Sequence, residues 1–408
     1  LLVTAVRLED EAPDWVVDWV EVINSPPEMP EVTIDPDDDA CIFYTSGTTG
    51  RPKGAQLTHR GCTNNIMNLV FANMVQPMAL SKARGTPPPD PASAPAPASL
   101  VATPLFHVTA NNCVAQATTL AGGKLVHMYK WDAGEALGLI EREKITTFSA
   151  VPMMAREVLM HPDFANTDTS SLQAMGGGGA AMQPDLVKKV GEHMENTQPG
   201  TGYGMTETCG IISALSSAFF QDRPTSCGPA MPTFESKCVN EAGEALPPGE
   251  VGELWVRGSP VIKGYINRPD ATAESITDGW LHTGDIAYLD EDGFIYLVDR
   301  AKDMVLRGGE NVYCAEVENA VFEHPDVAEC VVFAVPDERL GEEVGAAIHL
   351  KPGNSPDAES IRAHCKGLLA SYKVPRYLWF MDEPLPRNAS GKFLKRELRE
   401  TLKVDDAA

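Results

Sequence analysis

No Cys-x-x-Cys pair occurs among the nine cysteines, so the thiols suggest neither a zinc site nor a disulfide framework. Reduced, scattered cysteines point to a cytoplasmic protein. No apolar run reaches the length of a membrane span, and nothing at the start reads as a signal peptide. An initiator methionine is also missing: the chain opens Leu1-Leu2, which leads to the expectation of a longer natural chain. Internal repeats are absent. Basic residues are scarce, 33 against 57 acidic ones, and the net charge of −24 argues against nucleic acid or anionic lipid as partners. What is present is 408 residues with 43% hydrophobic content, enough for a sizeable core and more than one domain.

The chain changes style along its length. Residues 1–39 are acidic, with Trp15 and Trp19 spaced for one helical face. A Pro/Ala-rich stretch between Gly85 and Ser99 reads as an exposed connection. From Leu100 short apolar runs (Leu100–Thr103, Lys124–Met128, Ile145–Ala150, Leu172–Met175) alternate with helical patterns. Those helices are punctuated by the capping-box spacing of Asp132 and Glu135 and by Pro152 and Pro184 at first-turn positions. Such alternation predicts an α/β domain, a largely parallel sheet covered by helices. After Phe220 period-two patterns, clearest in Gly252–Arg257, predict a small antiparallel, barrel-like layer. After Arg300 a hairpin-like Met304–Gly309, helices and strands predict a small α+β domain closed by a charged helix in Lys392–Lys403.

The stretch Tyr44-Thr45-Ser46-Gly47-Thr48-Thr49-Gly50-Arg51-Pro52-Lys53-Gly54 follows the apolar run Ala40–Phe43 and precedes a helical pattern beginning near Thr58. Strand, hydroxyl-rich glycine loop and helix can wrap a polyphosphate with backbone N–H groups, hydroxyls and the Lys53 charge. The pattern G-x-x-x-x-G-K-[ST] is absent, and the loop alone also reads as a flexible turn. In Gly202-Tyr203-Gly204-Met205-Thr206-Glu207-Thr208, Tyr203 offers a ring face for a base, and Glu207 a hard carboxylate suited to Mg²⁺; an incidental Tyr in a turn is the plainer alternative. Trp280-Leu281-His282-Thr283-Gly284-Asp285 ends in a carboxylate, and Arg300 follows at a distance. Taken singly these are a turn residue and a surface ion pair. Pro386-Arg387-Asn388-Ala389-Ser390-Gly391-Lys392 sets a lysine at the tip of a turn, where a lone lysine is ordinarily solvated.

In this order the strings resemble the adenylate-forming enzymes: acyl-CoA synthetases, luciferases and the adenylation domains of peptide synthetases. The resemblance spans about residues 31 to 403 and is nearest to fatty-acyl-CoA ligases. It implies a large domain over residues 1–301, a mobile lid over 302–408 and a hinge at Lys302 within Asp299-Arg300-Ala301-Lys302-Asp303. It assigns ATP and AMP to Thr45, Ser46, Gly47, Thr48, Thr49, Gly50, Lys53, Gly178, Gly179, Ala180, Tyr203, Gly204, Thr206, Asp285, Arg300 and Lys392. Catalysis falls to Lys392, Thr206, Glu207 (also the Mg²⁺ ligand) and His107, the last in Pro104-Leu105-Phe106-His107, where the family keeps an acyl-pocket gate. A loop histidine without a role is an equal reading of His107, and the glycines of Gly176–Ala181 also read as a strand cap. Gly308 and Gly309 correspond to a loop lining the tunnel for CoA. The implied reaction joins a carboxylic acid to CoA with ATP and Mg²⁺ through an acyl-adenylate. Amino-acid-activating relatives carry a carboxylate beside the segment matching Phe106-His107, which is missing here. A medium- or long-chain fatty acid is therefore the first expectation and an aryl acid the second; a homo-oligomer is left open. Relatives have a longer stretch ahead of the phosphate loop, so a shortened chain that binds nucleotide without turnover is the competing expectation.

Overall fold

The computed structural model describes residues 2–4, 16–18, 20–21, 24–26, 28, 31–45, 52–90, 93–178, 182, 184–194, 197–388 and 391–408. Residues 1–38 and 39–408 form two compact units. In the first, strand β1 (Leu2–Thr4) runs parallel to β2 (Val16–Asp18). The helix expected from the spacing of Trp15 and Trp19 is thus replaced between them by a strand, which the run Val16-Val17 favours through its β-branched side chains; the two tryptophans lie outside the described residues.

The second unit opens with β3 (Asp39–Thr45) and β4 (Lys53–Thr58), an antiparallel pair in which Thr45 faces Lys53. Where a loop running straight into a helix is expected, the strand β4 therefore stands immediately before the helix. The helix His59–Arg84 follows at once, its N-cap Thr58 accepting the Gly61 N–H at 3.0 Å and Gly85 closing it in the left-handed region at φ 67°. Its buried face is partly polar. Asn65 accepts from the Ile211 N–H at 2.9 Å and donates to the Asn112 carbonyl at 3.1 Å, while Asn68 donates to the Thr233 hydroxyl at 2.7 Å. Satisfied in this way, the amides fix the helix in one register rather than letting it slide on an apolar surface.

Strands β5 (Ala98–Val101), β6 (Lys124–His127), β7 (Thr147–Ser149), β8 (Ala174–Gly177), β9 (Gln198–Met205) and β10 (Gly210–Ser216) build a sheet in the order β10-β9-β8-β7-β5-β6. All its pairs are parallel except β10 with β9. Helices Ala133–Glu143, Pro152–Met160 and Pro184–His193 connect these strands, and Asp132 caps the first by accepting the Glu135 N–H at 2.8 Å. Leu100, Leu137, Ile140, Phe148, Met175 and Leu186 fill the core between helices and sheet.

Strands β11 (Gly228–Pro229), β12 (Phe234–Val239), β13 (Gly252–Gly258), β14 (Ile276–Thr277), β15 (Trp280–Leu289) and β16 (Phe294–Arg300) form the antiparallel layer expected after Phe220, ordered β11-β16-β15-β13-β12 with β14 beside β15. A third sheet follows: β17 (Val305–Arg307), β18 (Glu310–Val312), β19 (Val327–Asp337), β20 (Gly341–Leu350) and β21 (Tyr377–Met381). Two apolar clusters lie on it. Val317, Val332 and Ile361 belong to one, with helices Cys314–Phe322 and Ala358–Lys366; Phe333, Trp379 and Leu398 belong to the other, with helix Lys395–Thr401. The architecture is the α/β body, antiparallel β layer and separate small α+β domain that the patterning predicts, the β layer being an open sheet among the described residues.

Candidate active site

Two sheets and several turns contribute to one cluster of polar side chains. Asp285 on β15 stands directly opposite Arg300 on β16, and their side chains meet at 3.3 Å. Tyr203, near the end of β9, donates its hydroxyl to the second Asp285 oxygen at 2.6 Å, while Thr283 accepts the Asp285 backbone N–H at 3.1 Å. Asp285 is buried. Burial lifts its carboxyl above the ordinary range, opposed by the Arg300 charge, the Tyr203 hydrogen bond and Lys392. Burial, then the neighbouring carboxylate, raises the Tyr203 phenol well above 10.

Glu207 lies in the short turn Thr206–Thr208 after β9 and is buried. One of its oxygens accepts the Tyr265 hydroxyl at 2.8 Å, and its backbone carbonyl accepts the Ile262 N–H at 3.0 Å. Tyr265 also carries Lys53 above its ring, with the ammonium 5.0 Å from the centroid. The segment 262–266 is in turn knitted to β4: Gln56 donates to the Gly264 carbonyl at 2.9 Å and Ile266 to Gly54 at 2.8 Å. Tyr265 therefore joins strand β4, which carries Lys53, to the Glu207 carboxylate. Sequence reasoning missed it, although Gly264-Tyr265 repeats the Gly–Tyr pairing of Gly202-Tyr203. Because Tyr265→Phe strips a buried carboxylate of its donor, it is expected to destabilise the protein by about 1.5–3 kcal/mol, read from urea unfolding. An unchanged midpoint would show that the bond contributes nothing.

Lys392 comes from the far end of the chain. Asn388 and Lys392 close a tight turn: the Lys392 carbonyl accepts from the Asn388 N–H at 2.9 Å, and the Asn388 side chain accepts from the Lys392 N–H at 2.9 Å. Gly391 within it has φ 81°, a left-handed conformation that a side chain would strain. A Cβ there would also sit 3.0 Å from Val151, which precedes the helix Pro152–Met160, so the turn is pressed onto the large α/β body. Burial and then Arg300 lower the Lys392 ammonium below its ordinary range, while Asp285 and Glu207 pull it back up. The same lysine lowers the pKa of His107, after burial, and the His107 Nδ1 accepts the Thr109 N–H at 3.2 Å. Hence Lys392, Asp285, Arg300, Glu207 and His107 share one electrostatic neighbourhood, with Tyr203 bonded to Asp285.

Other expected residues stand apart or serve differently. Ser46, Gly47, Thr48, Thr49, Gly50, Gly179 and Ala180 lie outside the described residues. A Cβ on Gly176 would lie 1.9 Å from the Gly200 carbonyl oxygen, and one on Gly178 2.4 Å from that of Gly202. Close approach of β8 and β9 demands these two glycines, whatever a ligand asks of them. Gly308 and Gly309 form the β17–β18 turn at φ 60° and 92°, and the Gly308 N–H donates to the Leu340 carbonyl at 2.8 Å. No interaction among the described residues joins that turn to Lys392 or Asp285. Lys302 is exposed in the turn after β16. Among the described residues no group of three His, Cys, Asp or Glu could hold a metal alone. The single buried carboxylate of Glu207 fits Mg²⁺, which keeps waters and takes phosphate oxygens as further ligands.

Comparison with known proteins shows the family. Residues 2–266 match the AMP-binding enzyme family and residues 316–392 the AMP-binding enzyme C-terminal domain. A feruloyl-CoA synthase of Amycolatopsis sp. is 39% identical over 375 residues, covering 91% of this chain and 72% of that protein. A long-chain-fatty-acid–CoA ligase of Bacillus subtilis (strain 168) is 37% identical over 370 residues, 90% of this chain and 62% of that protein. Among solved structures, o-succinylbenzoate CoA synthetase from Bacillus subtilis with its acyl-adenylate intermediate superposes with a TM-score of 0.79 at 32% identity, covering 96% of this chain and 75% of that one. The same enzyme with ATP and magnesium ion gives 0.77 at 32% identity, over 94% and 75%. The chain belongs to the AMP-binding enzyme family, and within it to the AMP-forming acid–thiol ligases of the adenylate-forming superfamily.

Proposed function

We propose that this chain joins an uncharged carboxylic acid to CoA in two steps at the site around Asp285. In the first, a carboxylate oxygen attacks the α-phosphorus of ATP and pyrophosphate leaves, forming an acyl-adenylate. In the second, the CoA sulfur attacks the acyl carbon and AMP leaves. Asp285 accepts the ribose hydroxyls, Arg300 supports it, Tyr203 offers its ring to adenine, and Thr206 with the loop Thr45–Lys53 holds the phosphates. Mg²⁺ held by Glu207 would neutralise phosphate charge. Lys392 sets a fixed positive charge where negative charge gathers on the carboxylate and α-phosphate, and His107 borders the acyl side. Such chemistry asks mainly for positioning and preorganised charge. What supports the reading most is that Lys392, distant in sequence, lies within electrostatic reach of Asp285, Glu207 and Arg300.

In this reading residues 302–408 form the lid and turn about Lys302 between the steps, bringing the Gly308–Gly309 turn to the thiol acceptor. All nine cysteines are free, in keeping with a reducing cytoplasm, and no described helix is long and apolar enough to cross a membrane. For the substrate, a medium- or long-chain fatty acid is the first reading, since the segment at Phe106-His107 has no carboxylate to bind an ammonium. An aryl acid is the second, favoured by the relative named feruloyl-CoA synthase. Pyrophosphate release and thioester formation across acetate, fatty acids, benzoate, ferulate and amino acids separate the two. Fatty acids are expected to give the highest kcat/KM; a higher value with ferulate establishes the aryl reading. ATP binding with no acid-dependent pyrophosphate release would overturn the ligase reading in favour of nucleotide binding alone.

A further inference from the structure

Asp299 takes no part in the chemistry above, yet it is the last residue but one of β16, three positions before Lys302. One of its oxygens accepts the Arg300 N–H at 2.7 Å and the other accepts the N–H of Cys314. Cys314 opens the helix Cys314–Phe322, so the carboxylate sits at the positive end of a helix dipole. The Cys314 thiol donates to the Asp303 carbonyl at 2.8 Å. One turn along the helix, Glu318 pairs with Lys395 at 2.9 Å and accepts the Val332 N–H at 2.9 Å, which ties it to β19. Lys395, also 4.0 Å from Asp303, starts the closing helix three residues after Lys392. A continuous set of contacts thus runs from Asp299 through Cys314, Glu318 and Lys395 to the turn that carries Lys392. Every member except Asp299 lies beyond Lys302 in sequence.

We propose that Asp299 is a positioning residue: it holds the C-terminal body in the arrangement that presents Lys392, and its release favours the second step over the first. The proposal rests on the two-step ligase reading. Rotation about Lys302 carries Cys314, Glu318 and Lys395 together and leaves their mutual contacts intact, but it must break the bond from Cys314 to Asp299. An interaction present in only one of two states shifts their balance by its own free energy. For a hydrogen bond to a charged group this is about ten-fold at the low end and about a hundred-fold at the high end. Burial lifts the Asp299 carboxyl to about 6, opposed by the Arg300 and Cys314 N–H groups and by Lys395, with Glu318 facing it as a like charge. Leaving that pocket would return the group to water.

The test separates the steps: acid-dependent pyrophosphate release without CoA, and thioester formation from a synthetic acyl-adenylate with CoA. Asp299→Ala is expected to slow the first about ten-fold and leave the second unchanged or faster. Asp299→Asn should recover part of the loss through its remaining amide oxygen. Equal losses in both steps, or no loss in either, would overturn the proposal. Should Asp299→Ala not fold, Asp299→Ser, too short to reach Cys314, carries the same expectation. If the wild-type chain releases no pyrophosphate with any acid, the ligase reading is what fails. The latch is then judged by amide hydrogen exchange over residues 313–318: faster exchange in the variant supports it, and unchanged exchange overturns it.

Discussion

Lys392→Ala is expected to lower acid-dependent pyrophosphate release by about 10²–10³-fold while sparing thioester formation from a preformed acyl-adenylate. The size follows from where the ammonium stands. It is half-buried, within electrostatic reach of Asp285 and Glu207, in a turn held by Asn388 and pressed onto Val151. A charge fixed in advance needs no reorganisation as the α-phosphate gains charge, so deleting it removes a contribution specific to the transition state. The pH dependence has a definite sign. The pKa is lowered, burial being the first cause, so the ammonium loses its proton as pH rises through a value below the ordinary 10.5. Adenylation should therefore decline on the alkaline side earlier than a free lysine would dictate. Lys392→Arg, charged throughout, should lose that alkaline limb even where its rate is lower. Equal loss of both half-reactions in Lys392→Ala would contradict the assignment.

Asp285→Ala should raise the dissociation constant for ATP by on the order of 10²-fold, measured by calorimetry. Two ribose hydroxyls donating to a carboxylate contribute about 1.5–3 kcal/mol each. The lower end applies, because the oxygens of Asp285 already engage Tyr203 at 2.6 Å and Arg300 at 3.3 Å, and nucleotide binding exchanges or shares those partners. The substitution also leaves the Arg300 guanidinium without that partner, while Asp285→Asn, retaining one acceptor, should fall between. A dissociation constant within two-fold of wild type, about 0.4 kcal/mol, would remove Asp285 from the ribose site.

Much of this site was legible in the sequence because its parts lie in short strings at strand ends and turns, where chemistry and local geometry coincide. Gly202–Glu207, Trp280–Asp285 and Pro386–Lys392 each carry a turn residue beside a charged or aromatic one, and the fold brings all three together. Other parts depend on contacts that no local pattern encodes. Strand β4 has no local signature because Gly54 and Ala55 are poor strand formers; its partner β3 and the segment 262–266 supply what its propensity lacks. Tyr265 and Asp299 acquire meaning from Glu207 and Cys314, separated from them by 58 and 15 residues. The glycines at 176 and 178 illustrate the converse: a motif suggestive of a ligand is already required by the closeness of β8 and β9.

The pleat of β16 has a consequence for folding fidelity. Side chains alternate along a strand, so Arg300 and Asp299 point to opposite faces, one toward Asp285, the other toward the helix at Cys314. Slipping β16 by one residue against β15 would exchange them, with a carboxylate meeting Asp285 and a guanidinium meeting the positive end of a helix. Such a chain could keep its sheets, and its circular dichroism, while losing both contacts. With Asp285 at the ribose as proposed, nucleotide binding counts only molecules paired in the correct register, and recovered ATP affinity is a stricter yardstick of successful refolding than recovered β-structure.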